Sequence, residues 1–209
     1  ILKKYAPGAG LPEIIAKRQP NRGFEGLAVT PSGKVVAVVQ SVADVDGKIK
    51  ESGARFLRMI ELDPASGNVR TLGYPHDVEA YKASRDAKLG DLVALSDTRF
   101  LLIEQGAGKD KLMRNLVYLV DIAKATDLTG RKAADGGELE SVKSADELKS
   151  LGVVLAEKKL LLDLRALGWE AEKAEGLALL PDGKSIAIMN DNDFGIAPTV
   201  IGPAAGPDG

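Results

Sequence analysis

The chain has no cysteine, one histidine and one tryptophan in 209 residues. Without thiols there are no disulfides, no thiolate nucleophile and no cysteine-held zinc. The missing cysteine leaves the compartment open, because such a protein is at home in cytosol and periplasm alike. Aromatic residues make up only 4%, which argues against the stacked aromatic platforms that bind single-stranded nucleic acid. The formal net charge is -2, so nothing points to nucleic acid or to an anionic membrane surface as a partner. No segment approaches the ~20 apolar residues of a membrane helix, and the longest runs, such as Leu116 to Val120, are strand-sized. The start at Ile1 and the loop-like run Gly202-Pro203-Ala204-Ala205-Gly206-Pro207-Asp208-Gly209 read as a fragment, with room for a leader to have been removed along with the natural N-terminus.

What the chain does have is repetition, which is sought first because it governs the fold. Phe24-Glu25-Gly26-Leu27-Ala28-Val29 is followed by Thr30-Pro31-Ser32-Gly33-Lys34 and Val35 to Gln40. Gly90-Asp91-Leu92-Val93-Ala94-Leu95 leads through Ser96-Asp97-Thr98 to Arg99 to Glu104. Ala174-Glu175-Gly176-Leu177-Ala178-Leu179 leads through Leu180-Pro181-Asp182-Gly183-Lys184 to Ser185 to Asn190. Each copy is an acid, a short apolar strand, a tight turn, a second apolar strand and a polar residue. Proline fixes φ and glycine supplies positive φ in the first and third turns. The strands are apolar on both faces, which predicts sheets sandwiched between neighbours. Trp169 and Phe24 are expected in that packing.

More β pattern follows each hairpin: Arg55 to Leu62 and Asn68 to Tyr74, then Leu116 to Ile122 and Lys159 to Leu164. Four strands per unit is the blade of a β-propeller. The expected fold is therefore all-β: part of a propeller, about three four-stranded blades beginning near 24, 90 and 174, in a single domain over 1–209. The spacings of the acids, 66 and 84 residues, exceed the ~40–50 of compact blades because of inserts. One is Asp77 to Leu89. The other, 130–152, contains the capping pattern Ser144-Ala145-Asp146-Glu147 and predicts a short helix. The alternative is a generic antiparallel sandwich. Three blades do not close a ring of the usual ~4–8, so exposed edges and faces predict self-association.

In a propeller the first strand of each blade lines the channel, so Glu25, Asp91 and Glu175 are expected to face a common axis as candidate catalytic groups. Clustered carboxylates repel, and a hard cation such as calcium, with its 6–8 oxygen ligands, relieves that repulsion. The candidate metal ligands are Glu25, Asp91, Glu104, Glu175, Asn190, Asp191 and Asp193, with Gln40 at the matching position of the first copy. The competing reading is that each acid accepts backbone amides at a strand start and fixes blade to blade. Arg22 and His76 are candidate substrate-binding groups, against a salt bridge for Arg22 and a partly exposed loop position for His76. Asp44-Val45-Asp46-Gly47 fails the EF-hand register and reads as a hairpin tip, while Gly106-Ala107-Gly108-Lys109 lacks the glycine and Ser/Thr of a P-loop.

Asn21-Arg22-Gly23-Phe24-Glu25-Gly26-Leu27-Ala28, Gly90 to Leu95 with Phe100 to Glu104, and Glu175-Gly176-Leu177-Ala178 with Asn190-Asp191-Asn192-Asp193-Phe194-Gly195 resemble the phytase-like domain, "esterase-like activity of phytase". The resemblance covers nearly the whole chain in order and is similar to the second half of that longer family. It implies an exported propeller, periplasmic or extracellular, and a link to phosphoester hydrolysis. The expected activity is then a metal-dependent phosphoric-ester hydrolase acting on a small-molecule phosphoester. The alternatives are a non-catalytic binding scaffold and a lactonase-like hydrolase with one divalent ion.

Overall fold

The computed structural model describes residues 5–191. Two four-stranded antiparallel sheets make up most of it, each in plain sequential order. After a small pairing of β1 (Ala6–Pro7) with β2 (Gly10–Leu11), blade one comprises β3 (Phe24–Val29), β4 (Val35–Val39), β5 (Phe56–Leu62) and β6 (Val69–Pro75). Blade two comprises β7 (Lys88–Ala94), β8 (Arg99–Ala107), β9 (Met113–Asp121) and β10 (Glu157–Asp163). A third hairpin pairs β11 (Ala174–Leu179) with β12 (Ile186–Asn190). The all-β, propeller-like reading holds. The third unit shows only two of its four expected strands among the described residues.

Turn chemistry explains the hairpins. Gly33 and Gly183 take φ of +84° and +65°, the left-handed region that glycine enters without a Cβ penalty. β4, Val35-Val36-Ala37-Val38-Val39, is almost wholly β-branched and therefore well suited to a pleated, buried surface. Its Val36 and Val38 pack with Leu57, Met59, Leu72 and Tyr74 of blade one against Leu92, Phe100, Leu102 and Tyr118 of blade two. Each such side chain, once buried, contributes about 1.5–3 kcal/mol. The opposite face of blade two, through Leu101, Ile103 and Val117, packs on Ala174, Leu177, Trp169, Ile186 and Ile188 of the third unit. Trp169 is thus an inter-sheet side chain as expected, whereas Phe24 is 41% exposed and packs less than the sequence implied.

The inserts are structural. Residues 128–156 lie along the free edge of β6, where Leu128 N–H donates to Thr71 O at 2.8 Å and Ala156 N–H to Gly73 O at 2.9 Å. Covering an edge in this way removes a template for unwanted pairing. Within this insert the helix α1 (Ala145–Ser150) forms where the capping pattern placed it, and the Ser144 side chain accepts the Glu147 N–H. Its Leu148 joins Leu128, Leu139, Val142 and Val153 around Phe56. A bidentate pair, Arg58 to Glu140 at 2.6 and 3.1 Å, locks the insert onto blade one. The strands are not sandwiched everywhere: on β3, Leu27 and Val29 are 60% and 61% exposed.

Candidate functional site

The inner strands β3, β7 and β11 lie side by side in chain order, and each carries its acid at the same kind of irregularity. Pairing of β3 with β4 runs Phe24↔Val39 and then Gly26↔Val38, so Glu25 is an extra residue. In β7 the register steps from Leu89↔Glu104 to Leu92↔Leu102 around Gly90 and Asp91. In β11 it steps from Ala174↔Asn190 to Gly176↔Met189 around Glu175. All three acids therefore sit on β-bulges, which leave a residue out of the ladder and re-aim its side chain.

Glycines permit the close approach of these strands. A Cβ on Gly26 would stand 2.7 Å from Gly90 O and 2.9 Å from Leu92 N, both backbone atoms of the next blade. The acid–glycine neighbours in each copy (Glu25-Gly26, Gly90-Asp91, Glu175-Gly176) are the sequence trace of the bulge and of this contact.

The three acids differ in what they touch. Asp91 Oδ1 accepts its neighbour Leu92 N–H at 2.9 Å, and Oδ2 accepts Leu177 N–H of β11 at 3.1 Å. Both oxygens are committed to backbone amides, one of them across the sheet boundary, which is the blade-fixing role. Glu175 Oε1 accepts Gln105 Nε2–H at 3.1 Å. Among the described residues no donor is hydrogen-bonded to the Glu25 carboxylate. Burial raises the Glu25 pKa above the usual glutamate range, the negative charge of Glu175 adds to this, and Lys88 offsets part of it. Glu25 and Glu175 thus feel each other across the inner end, while Asp91 staples the strand between them.

Other sequence candidates lie elsewhere. Asn190 is exposed opposite Ala174. Asp191 Oδ2 lies 3.6 Å from Lys173 Nζ, and Asp193 falls outside the described residues. Glu104 does not join the inner acids. Its carboxylate is 2% exposed and faces blade one, accepting Tyr74 and Tyr81 hydroxyls at 2.5 Å each and Lys158 Nζ at 2.9 Å. Lys158 also pairs with Asp77 at 2.9 Å and lies over the Tyr74 and Tyr118 rings. Burial and then the charge of Glu104 raise the pKa of all three tyrosines, so they stay neutral, Tyr74 and Tyr81 as donors to Glu104.

Arg22 and His76 both attach to the 77–89 insert. Arg22 Nη1 donates to Ser41 Oγ at 2.8 Å and to the Arg85 carbonyl, while Ser41 Oγ in turn donates to Ala87 O at 3.3 Å. Arg22 is thus held by a hydroxyl and a backbone carbonyl, and not by the carboxylate salt bridge weighed against its substrate-binding role. His76 is 6% exposed rather than partly open, with Nε2 at 3.0 Å from Ser84 Oγ. Burial lowers its pKa despite the nearby Glu104.

Sequence reasoning missed two residues. Gln105 and Asn115, cross-strand partners on β8 and β9, are both 2% exposed. Asn115 Nδ2 donates to the Glu172 carbonyl at 3.2 Å, and its Oδ1 accepts Ala174 N–H at 3.1 Å. The sequence signal was the polar pair interrupting apolar strands.

As a cation site, the inner end offers two carboxylates, Glu25 and Glu175, whose mutual repulsion Lys88 offsets only in part. Among the described residues no group of three or more His, Asp or Glu is gathered as a metal-binding set.

No curated protein and no solved structure matches the chain. A family model described as "Phytase-like: Esterase-like activity of phytase" matches residues 2–194. With the match spanning nearly all of the sequence, the chain belongs to the phytase-like family, the proteins described as having esterase-like activity of phytase.

Proposed function

We propose that this chain carries part of a hydrolytic site for small phosphoric esters, centred on Glu25 and Glu175 at the inner end of the blades. The observation that carries the reading is that Glu25 and Glu175 both sit on bulges of inner strands flanking β7, where the charge of Glu175 raises the Glu25 pKa and Lys88 only partly offsets it. Hard carboxylate oxygens that repel one another suit calcium, the cation expected for clustered carboxylates. Asp91 is outside this ligand set because its oxygens serve amides. When bound, such an ion would neutralise phosphate charge and lower the pKa of a water. On the chain's own side, Gln105 holds Glu175. Glu25, with no donor of its own among the described residues and a raised pKa, is suited to taking a proton from the attacking water.

The test is turnover of phytate and of a simple aryl phosphate by the full chain, with and without calcium, beside Glu25→Gln and Glu175→Gln. Calcium-dependent turnover lost in both variants supports the reading; turnover indifferent to both substitutions refutes it. The same proposal places the protein in the periplasm or outside the cell, as the family resemblance implies, and cell fractionation checks this. A scaffold reading has one observation in its favour, the use of Asp91 as a staple between sheets. Retained partner binding with no turnover in any metal would select it.

A further inference from the structure

We propose that Gln105 is a positioning residue that aims the Glu175 carboxylate toward Glu25 from the neighbouring sheet, with Asn115 holding the backbone just before it. This rests on Glu25 and Glu175 forming the working pair. Glu175 belongs to the third hairpin, yet its side chain is fixed by blade two: Gln105 Nε2 lies 3.1 Å from Glu175 Oε1. Asn115, opposite Gln105 in the ladder, grips the strand start through the carbonyl of Glu172 and the amide of Ala174. The two buried amides thus control one oxygen of Glu175 and the two residues that lead its backbone into the bulge. Because a bulged residue is not held by the ladder, its direction must come from elsewhere.

The platform beneath Gln105 is itself rigid. Its neighbour Glu104 points to the other face of β8 and is clamped there by Tyr74, Tyr81 and Lys158. Consecutive residues of one strand therefore tie blade two to blade one and to the third hairpin. With Oε1 occupied by Gln105, Oε2 of Glu175 is left to act with Glu25. A buried amide that merely needed a partner would serve fold stability alone. A positioning amide makes the rotamer of Glu175 and the affinity of the pair for a cation depend on it.

The experiment uses the full chain with Gln105→Leu, which removes the donor, and Gln105→Glu, which keeps the shape but replaces donor by acceptor. Three quantities are measured: side-chain scalar couplings of Glu175 by NMR without metal, calcium affinity by calorimetry, and the urea midpoint. The expected result is rotamer averaging of Glu175 in both variants and, in Gln105→Leu, roughly tenfold weaker calcium binding, the scale of one lost hydrogen bond. If Gln105→Leu does not fold, Gln105→Glu alone decides. Unchanged couplings in a folded variant overturn the proposal, whatever happens to the urea midpoint. Couplings that change while even the unsubstituted chain binds no calcium sustain the positioning role and refute the cation reading instead.

Discussion

Replacing Glu104 by leucine should be among the most damaging single changes in this protein, although Glu104 lies away from the inner acids. Its carboxylate is the common acceptor for two tyrosine hydroxyls and one ammonium, in a site where the Glu104 and Lys158 side chains are only 2% and 9% exposed. Leucine keeps the volume and removes every acceptor. Lys158 is left with Asp77 alone, whose side chain is 49% exposed, and a buried charge stripped of its partner costs about 3–5 kcal/mol. The stranded Tyr74 and Tyr81 hydroxyls add roughly 1–3 kcal/mol each where no water replaces the acceptor. The loss should therefore exceed about 4 kcal/mol, a large part of the ~5–15 kcal/mol of a typical domain.

Urea denaturation measures this, and two further variants make it decisive. Lys158→Met leaves Glu104 with two tyrosine donors and should cost less, near the lower end of the ~3–5 kcal/mol range for one broken partner. The double variant carries no buried charge at this site. It should fall at least about 2 kcal/mol short of the summed single losses, since contacting residues are not additive. A Glu104→Leu loss below about 1 kcal/mol, or strict additivity of the pair, would refute the reasoning. Alkaline pH gives an independent arm. The folded pKa values of Tyr74 and Tyr81 are raised, by burial first and by Glu104 second. Neutral tyrosine is thus favoured in the fold, and this contribution is intact below the unfolded value of about 10. It is lost as pH rises beyond that, with unfolded tyrosines ionising first. Glu104→Leu should show a shallower loss above about pH 10, because the Glu104 share of the shift is gone.

Gly26→Ala drives a Cβ to 2.7 Å from Gly90 O, and overpacking against backbone should cost about 1–3 kcal/mol by urea titration; Gly183→Ala, with open space around it, should lose only about 1 kcal/mol from positive φ. Asp91→Ala removes the acceptor of Leu177 N–H and should lower stability by about 1–3 kcal/mol, while calorimetry shows calcium affinity unchanged within twofold; a tenfold loss would return Asp91 to the ligand set. Glu25→Gln should stabilise slightly at neutral pH, by a few tenths of a kcal/mol because the side chain is exposed to screening solvent. Its folded pKa is raised, so the penalty it relieves develops as pH rises through that value and vanishes below the unfolded value of about 4.3. Leu27→Glu with Val29→Lys, on the bare face of β3, should reduce self-association in light scattering; an unchanged mass distribution would show that this face does not drive it.

The hairpins were legible because their determinants are local. Pro31 and Gly33, or Pro181 and Gly183, fix a turn wherever the chain goes, and Ser144 caps a helix through an amide three residues away. The acids were legible as a recurring position but not as three different roles, because a bulge is a property of the pairing between strands. Glu104 and Gln105 show the physical limit most clearly. Side chains alternate along a strand, so one of these two neighbours had to face blade one and the other the third hairpin. Which faced which depends on the register of β8 against β7, and the bulge at Gly90 and Asp91 shifts that register within the same few residues. The sequence pattern favoured Glu104 as a companion of the inner acids, since an acid at the end of the second strand matched Gln40 and Asn190 in the other copies. The pleat instead sends Glu104 to Tyr74 and leaves the neutral amide of Gln105 beside Glu175. A carboxylate there would have added a further charge to a repelling pair; the amide donates a hydrogen bond to Glu175. That exchange of one residue for its neighbour turns a presumed ligand into an anchor and gives the inner site a donor.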